Sequence, residues 1–159
     1  MNWLLFFCVL GVCLSGYAVH VENMKDTNPD FEALCDINAS VSCSKVFSSE
    51  QGKIWSYFGL IPKDSLLDVP NAVYGMAFYV LIIVLDQAFS KSALAVKIML
   101  LAAVFGCMLS LYLAYVLKFV LQDFCIVCVS SYLCNIVVLF GAISRYNLGT
   151  AAEKQSKSR

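Results

Sequence analysis

Histidine is almost absent: His20 is the only one in 159 residues. That argues against a histidine-based metal site and against a Ser-His-Asp triad. Charge is scarce too, at 14%, where an ordinary globular domain carries about 25%. The charges present cancel, 11 basic against 11 acidic, so there is no electrostatic footprint for nucleic acid. What the chain has instead is apolar bulk and sulfur. Sixty per cent is hydrophobic, mean hydropathy is +0.77, and there are eight cysteines. So much apolar surface does not fit inside a 17.5 kDa globule. The composition excludes a disordered chain and a soluble enzyme and points to a membrane protein.

Four apolar stretches are long enough to cross a bilayer, which needs about 20 residues each. The pattern predicts spans at about 3–20, 72–89, 98–117 and 124–144, a long loop over 21–70 and a tail over 145–159. The short links at 90–97 and 118–123 predict antiparallel neighbours, hence an all-α four-helix bundle. Ala102, Gly106, Ser110 and Ala114 recur every four residues in the third span, a small-residue stripe that allows close helix contact in lipid. The first stretch has two readings. It can be a retained helix, or a secretory leader ending at Gly16 and Ala18. No lysine or arginine precedes it, which favours the helix.

Basic residues set the orientation. The tail holds Arg145, Lys154, Lys157 and Arg159 against Glu153, while the loop over 21–70 holds eight acidic residues against four lysines. The tail is therefore expected in the cytoplasm. Four spans return the N-terminus to the same side and leave the long loop outside, with Lys97 snorkelling at the cytoplasmic end of the third span.

The cysteines fall into two groups. Cys8, Cys13, Cys107 and Cys134 lie within apolar spans and read as small buried hydrophobes. Cys35 and Cys43 lie in the long loop, and Cys125-Ile126-Val127-Cys128 opens the fourth span on the same face of the membrane. That face permits disulfides. A Cys-X-X-Cys at a helix start suits redox work, because the helix N-terminus favours a thiolate at the first cysteine. Asp123 beside it opposes this. Two structural disulfides remain an alternative. Zinc is disfavoured, since seven residues separate Cys35 from Cys43, which is not the spacing of paired knuckles.

Cys125, Cys128 and Tyr132 follow i, i+3, i+7 and share one helix face. Tyr132 would place a hydroxyl about one turn deeper than Cys128. Alone, it reads as an interfacial anchor. Asn71 follows Pro70 and reads alone as an N-cap or turn residue. Together, an amide and a phenol at one membrane level could donate hydrogen bonds to the carbonyls of a flat apolar molecule entering from lipid. No His, Asp or Glu is placed as a general acid deep in such a site.

These residues resemble the vitamin K epoxide reductase family. The resemblance rests on Cys35-Asp36, Ser42-Cys43-Ser44-Lys45-Val46-Phe47-Ser48-Ser49, Asn71, Tyr74-Gly75, Tyr112-Leu113-Ala114-Tyr115 and Asp123-Phe124-Cys125-Ile126-Val127-Cys128. It runs from about Tyr17 to Ser144, and is nearer the vertebrate members, which include a like-1 paralogue, than the bacterial ones. It implies a four-helix membrane enzyme of the endoplasmic reticulum with a lumenal loop capping the active site. Cys128, the deeper thiol, would attack vitamin K epoxide or quinone, with Cys125, the more exposed one, as its disulfide partner. Cys35 and Cys43 would relay electrons from lumenal thioredoxin-like oxidoreductases. Asn71 and Tyr132 would hydrogen-bond the substrate oxygens, and Phe47 and Phe78 would contact its ring. Coumarin anticoagulants would occupy the same pocket. No bound cofactor or metal is implied beyond the redox-active disulfides, with vitamin K as substrate. Two other readings use the same residues: a quinone-linked disulfide-forming oxidase of lumenal proteins, and a non-enzymatic tetraspan with structural disulfides. Asn38-Ala39-Ser40 is a glycosylation sequon between the loop cysteines; its nearness to them and to the membrane argues against its use. Lys154 and Lys157 hint at a retrieval signal.

Overall fold

The structure, a computed structural model, describes residues 3–38, 41–62 and 65–157. Helix α1 spans Trp3–Thr27, followed in the long loop by the short helices α2 (Cys43–Phe47) and α3 (Ile54–Tyr57), with a 3-10 turn at Glu50–Gly52 between them. Then come α4 (Asn71–Ala88), α5 (Ala93–Tyr115) and α6 (Ile126–Lys157). Among the described residues no strand forms; isolated bridges pair Asn38 with Val41 and Val41 with Phe124. Four helices are long and apolar enough to cross a membrane. The chain is an all-α, four-helix integral membrane protein.

The helices close a ring: α1 packs on α4 and α6, and α5 packs on α4 and α6. The core of the ring is Leu4 and Cys8 from α1, Tyr79 and Ile82 from α4, Met99 and Ala103 from α5, and Cys134, Val138 and Ala142 from α6. The large apolar side chains left exposed, such as Leu101, Leu111, Leu133 and Phe140, face where lipid would be. Close approach depends on missing side chains. A Cβ on Gly11 would run into the Tyr79 ring, whose hydroxyl donates to Ser131 O at 3.1 Å. A Cβ on Gly106, from the small-residue stripe, would lie 3.2 Å from Phe78.

Helix boundaries differ from the sequence expectation, α5 beginning already at Ala93. α1 continues to Thr27, so at 1.5 Å per residue it is about 37 Å long and overshoots a 30 Å hydrocarbon core. α6 does not stop near 144 but runs helical to Lys157, so the tail is largely helix. Lys154 and Lys157, read as a retrieval signal, have side chains outside the described residues, as does Arg159. Arg145 is no solvated tail charge: its Nε lies 2.8 Å from Asp86 Oδ1 and its Nη2 3.2 Å from Oδ2, with Asp86 buried. After α5 the backbone widens into a π-helical stretch, Val116–Leu121, and reverses at Gln122, whose φ of 54° is left-handed. This delivers Asp123, Phe124 and Cys125 to the foot of the loop.

Candidate active site

The loop folds into a cap around one carboxylate. Asp36 accepts from Ala33 N–H at 2.8 Å, the Ser42 hydroxyl at 3.0 Å and Ser44 N–H at 3.1 Å. Partial burial disfavours its charge, but the bonds from Ser44, Ala33 and Ser42 outweigh that and lower its pKa to about 2. Ser42 also caps α2, accepting from Lys45 N–H at 3.3 Å. The cap then docks on the start of α6: Ser42 N–H donates to Phe124 O at 3.1 Å, and Lys45 Nζ lies 3.9 Å from Asp123. The carboxylate expected to oppose a thiolate at Cys125 therefore has a cation of its own nearby.

Docking brings the four loop-side sulfurs together. Cys35 is disulfide-bonded to Cys43, and Cys125 to Cys128, with Cα separations of 5.8 and 5.3 Å. The sulfur of Cys43 lies 3.8 Å from that of Cys125, and both residues are fully buried. Cys125 sits just ahead of α6: its carbonyl accepts from Val129 N–H and its sulfur from Cys128 N–H at 3.2 Å. An N-cap residue is bonded in this way, with sulfur in place of the usual oxygen. The sequence reading made Cys125 the more exposed member of its pair. The structure reverses this: Cys125 is sealed beneath Cys43, and Cys128 faces a cavity.

That cavity has a volume of about 460 Å³. Val46, Phe47, Ile54 and Trp55 of the cap roof it, Asn71, Tyr74 and Phe78 line it from α4, and Cys128, Tyr132 and Asn135 line it from α6. Asn71, Tyr132, Phe47 and Phe78 thus meet at one space with Cys128. Asn71 is not an N-cap; Pro70 holds that position. Its amide instead fastens the cap, donating to Gln51 O at 2.7 Å and accepting from Ile54 N–H at 2.9 Å. One donor and one lone pair of the amide remain for a ligand.

Residues 2–143 match the sequence profile of the vitamin K epoxide reductase family. The chain is 39% identical over 135 residues to vitamin K epoxide reductase complex subunit 1 of Rattus norvegicus, covering 82% of this chain and 81% of that protein. It is 38% identical over 136 residues to the Mus musculus protein of the same name, covering 83% and 81%. This chain belongs to the vitamin K epoxide reductase family. It is a multi-pass membrane oxidoreductase.

Other cavity residues of this reductase were not apparent in the sequence. Glu22 lines the wall, nine-tenths buried, with no ion pair or hydrogen bond among the described residues. A carboxyl therefore does face the cavity, contrary to expectation. It was hidden because it follows an apolar run and reads as the first charge of the loop. Trp55 packs edge-on to Tyr74, ring centroids 5.9 Å apart. Deeper, the Asn135 amide donates to Ser110 Oγ at 2.7 Å, and Ser110 donates to Gly106 O at 2.8 Å, so the small-residue stripe carries a polar stitch between α5 and α6. Of the cysteines outside the cap, Cys8 and Cys134 are buried, Cys13 is exposed, and Cys107 donates to Asn135 O at 3.4 Å. Asn38 is exposed; Ala39 and Ser40, the rest of the sequon, lie outside the described residues.

Proposed function

We propose that the protein reduces vitamin K 2,3-epoxide to the quinone, and the quinone to the hydroquinone, at the expense of cysteine thiols. The observation that carries this is the line of sulfurs. Cys128 opens on an apolar cavity, Cys125 stands behind it, and Cys43 touches Cys125. In the epoxide step the Cys128 thiolate attacks a ring carbon, the C–O bond breaks, and the oxygen takes a proton. Cys125 then attacks the Cys128 sulfur. A disulfide forms, the ring recovers the electrons of the C–S bond, and the oxygen leaves as water. One epoxide and two thiols give one quinone, one disulfide and one water. We assign the proton to one of two groups that line the wall, Glu22 or the Tyr132 phenol. Asn71 and Tyr132 hold the substrate oxygens, and Phe47 and Phe78 pack on the ring.

Resetting uses thiol–disulfide exchange. Cys43 attacks Cys125 and frees Cys128. Cys35 resolves that bond, and a lumenal thioredoxin-like oxidoreductase reduces the Cys35–Cys43 disulfide. The family resemblance supports an endoplasmic reticulum membrane location, and the excess of acid in the loop and of base after 144 supports both termini in the cytoplasm. The cavity is also where coumarin anticoagulants would compete. The test is epoxide reduction by microsomes carrying the wild type or Cys128→Ala, with dithiothreitol as reductant and a coumarin control. Turnover by the wild type alone, blocked by the coumarin, is expected. Equal turnover by both would remove Cys128 from the chemistry.

A further inference from the structure

Tyr17 lies on α1, one helix away from the reacting sulfurs, and does not line the cavity. Its hydroxyl meets the cap at two points. Leu34 N–H donates to the phenol oxygen at 3.1 Å, and the same oxygen lies 3.9 Å from Cys35 Sγ. The direction of the second contact follows from the first pair of facts. A disulfide sulfur has no proton to give, so the phenol is the donor and Cys35 the acceptor. The backbone amide of Leu34 supports this by taking a lone pair of the phenol and leaving its O–H for the sulfur.

We propose that Tyr17 is a positioning residue for the relay: it holds the Cys35 sulfur against Cys43 and stabilises it as the resolving nucleophile. The inference rests on the relay reading above. In the resetting sequence Cys43 becomes bonded to Cys125. The Cys35 thiolate then attacks Cys43 Sγ. The Cys35–Cys43 bond forms, the Cys43–Cys125 bond breaks, and Cys125 leaves with the electron pair and takes up the proton that Cys35 has lost. A phenol O–H aimed at Cys35 favours its negative charge in that step, because hydrogen bonds to charged groups are the stronger ones. It also keeps Cys35 partly exposed while Cys43 is sealed.

The test follows the mixed disulfide directly. Protein in microsomes is turned over with epoxide and a thioredoxin-like dithiol, quenched with acid and alkylated, and the Cys43–Cys125 cross-link is quantified by peptide mass spectrometry. Tyr17→Phe is expected to raise the cross-linked fraction about five- to tenfold and slow dithiol-driven turnover by a similar factor. Leu34→Pro, at an exposed residue, removes the supporting N–H and is expected to shift the fraction the same way by a smaller factor. Cys35→Ala is the reference and should trap the cross-link nearly completely. If Cys35→Ala traps it while Tyr17→Phe and Leu34→Pro leave the wild-type fraction, the role of Tyr17 is overturned and the relay stands. If Cys35→Ala traps nothing, the relay itself is overturned.

Discussion

Cys43 and Cys125 stand 82 residues apart in the chain and 3.8 Å apart at sulfur. Neither is exposed, so a reducing equivalent passing between them need not meet water. The arrangement depends on three devices: the carboxylate hub at Asp36, the Ser42 cap of α2, and the backbone bond from Ser42 to Phe124. The first two are local in the chain, the third is long-range, and together they lay one disulfide against the other.

Replacing Cys128 by alanine is expected to abolish epoxide reduction while leaving the chain in the membrane. The side chain faces the cavity and fills no part of the ring core. Turnover and the membrane-extracted yield, measured on the same preparation, check this. Loss of the protein instead of loss of turnover would favour a structural disulfide.

Cys35→Ala and Cys43→Ala are expected to lose turnover with protein dithiols and to keep part of it with dithiothreitol. Because Cys125 is sealed by Cys43, Cys43→Ala should retain more dithiothreitol activity than Cys35→Ala: deleting the sulfur opens a path for the small thiol. Parallel rate measurements under both reductants check this, and equal losses would count against a relay.

Asp36→Asn is expected to loosen the cap and slow dithiol-driven turnover while the bundle stays folded. The pH dependence has a definite sign. The folded-state pKa is about 2, below the ordinary value of 3.8, so the stabilisation is complete above about pH 4. It is lost as pH falls from there towards 2. Protease sensitivity of the loop, followed down that range, should rise in the wild type and change little in the variant.

Gly11→Ala is expected to cost about 1–3 kcal/mol, as overpacking does, because the new methyl meets the buried Tyr79 ring. Gly106→Ala should cost less, with Phe78 at 3.2 Å and on the cavity side, where a ring has room to turn. Thermal unfolding in detergent separates the two. Gly106→Ala should in addition shift substrate affinity, since Phe78 lines the cavity.

The spans were legible because hydropathy and length alone determine them, and Tyr132 was placed beside Cys128 by helical periodicity. The ends of α1 and α6 were not, because a helix continues past the membrane wherever hydrogen bonding allows and hydropathy carries no mark of that. The burial order of Cys125 and Cys128 was misread because it depends on the cap, an irregular loop whose fold follows from the bonds to Asp36 and not from any period. Asn71 shows the same limit. Its place at the cavity was legible in the family resemblance, but its grip on Gln51 and Ile54 comes from tertiary geometry. Glu22 was missed because an acid at the end of an apolar run looks solvated until the cap closes over it.

The bidentate pair of Asp86 with Arg145 bears on how the chain is made. The partners are 59 residues apart, and a carboxylate stranded near the hydrocarbon is costly. As the helices emerge in order, α4 carries this acid without the opposite charge of Arg145 until α6 has followed it into the bilayer. Insertion of the second and fourth spans is thereby coupled, and a nascent chain truncated before Arg145 should linger with the insertion machinery instead of partitioning into lipid.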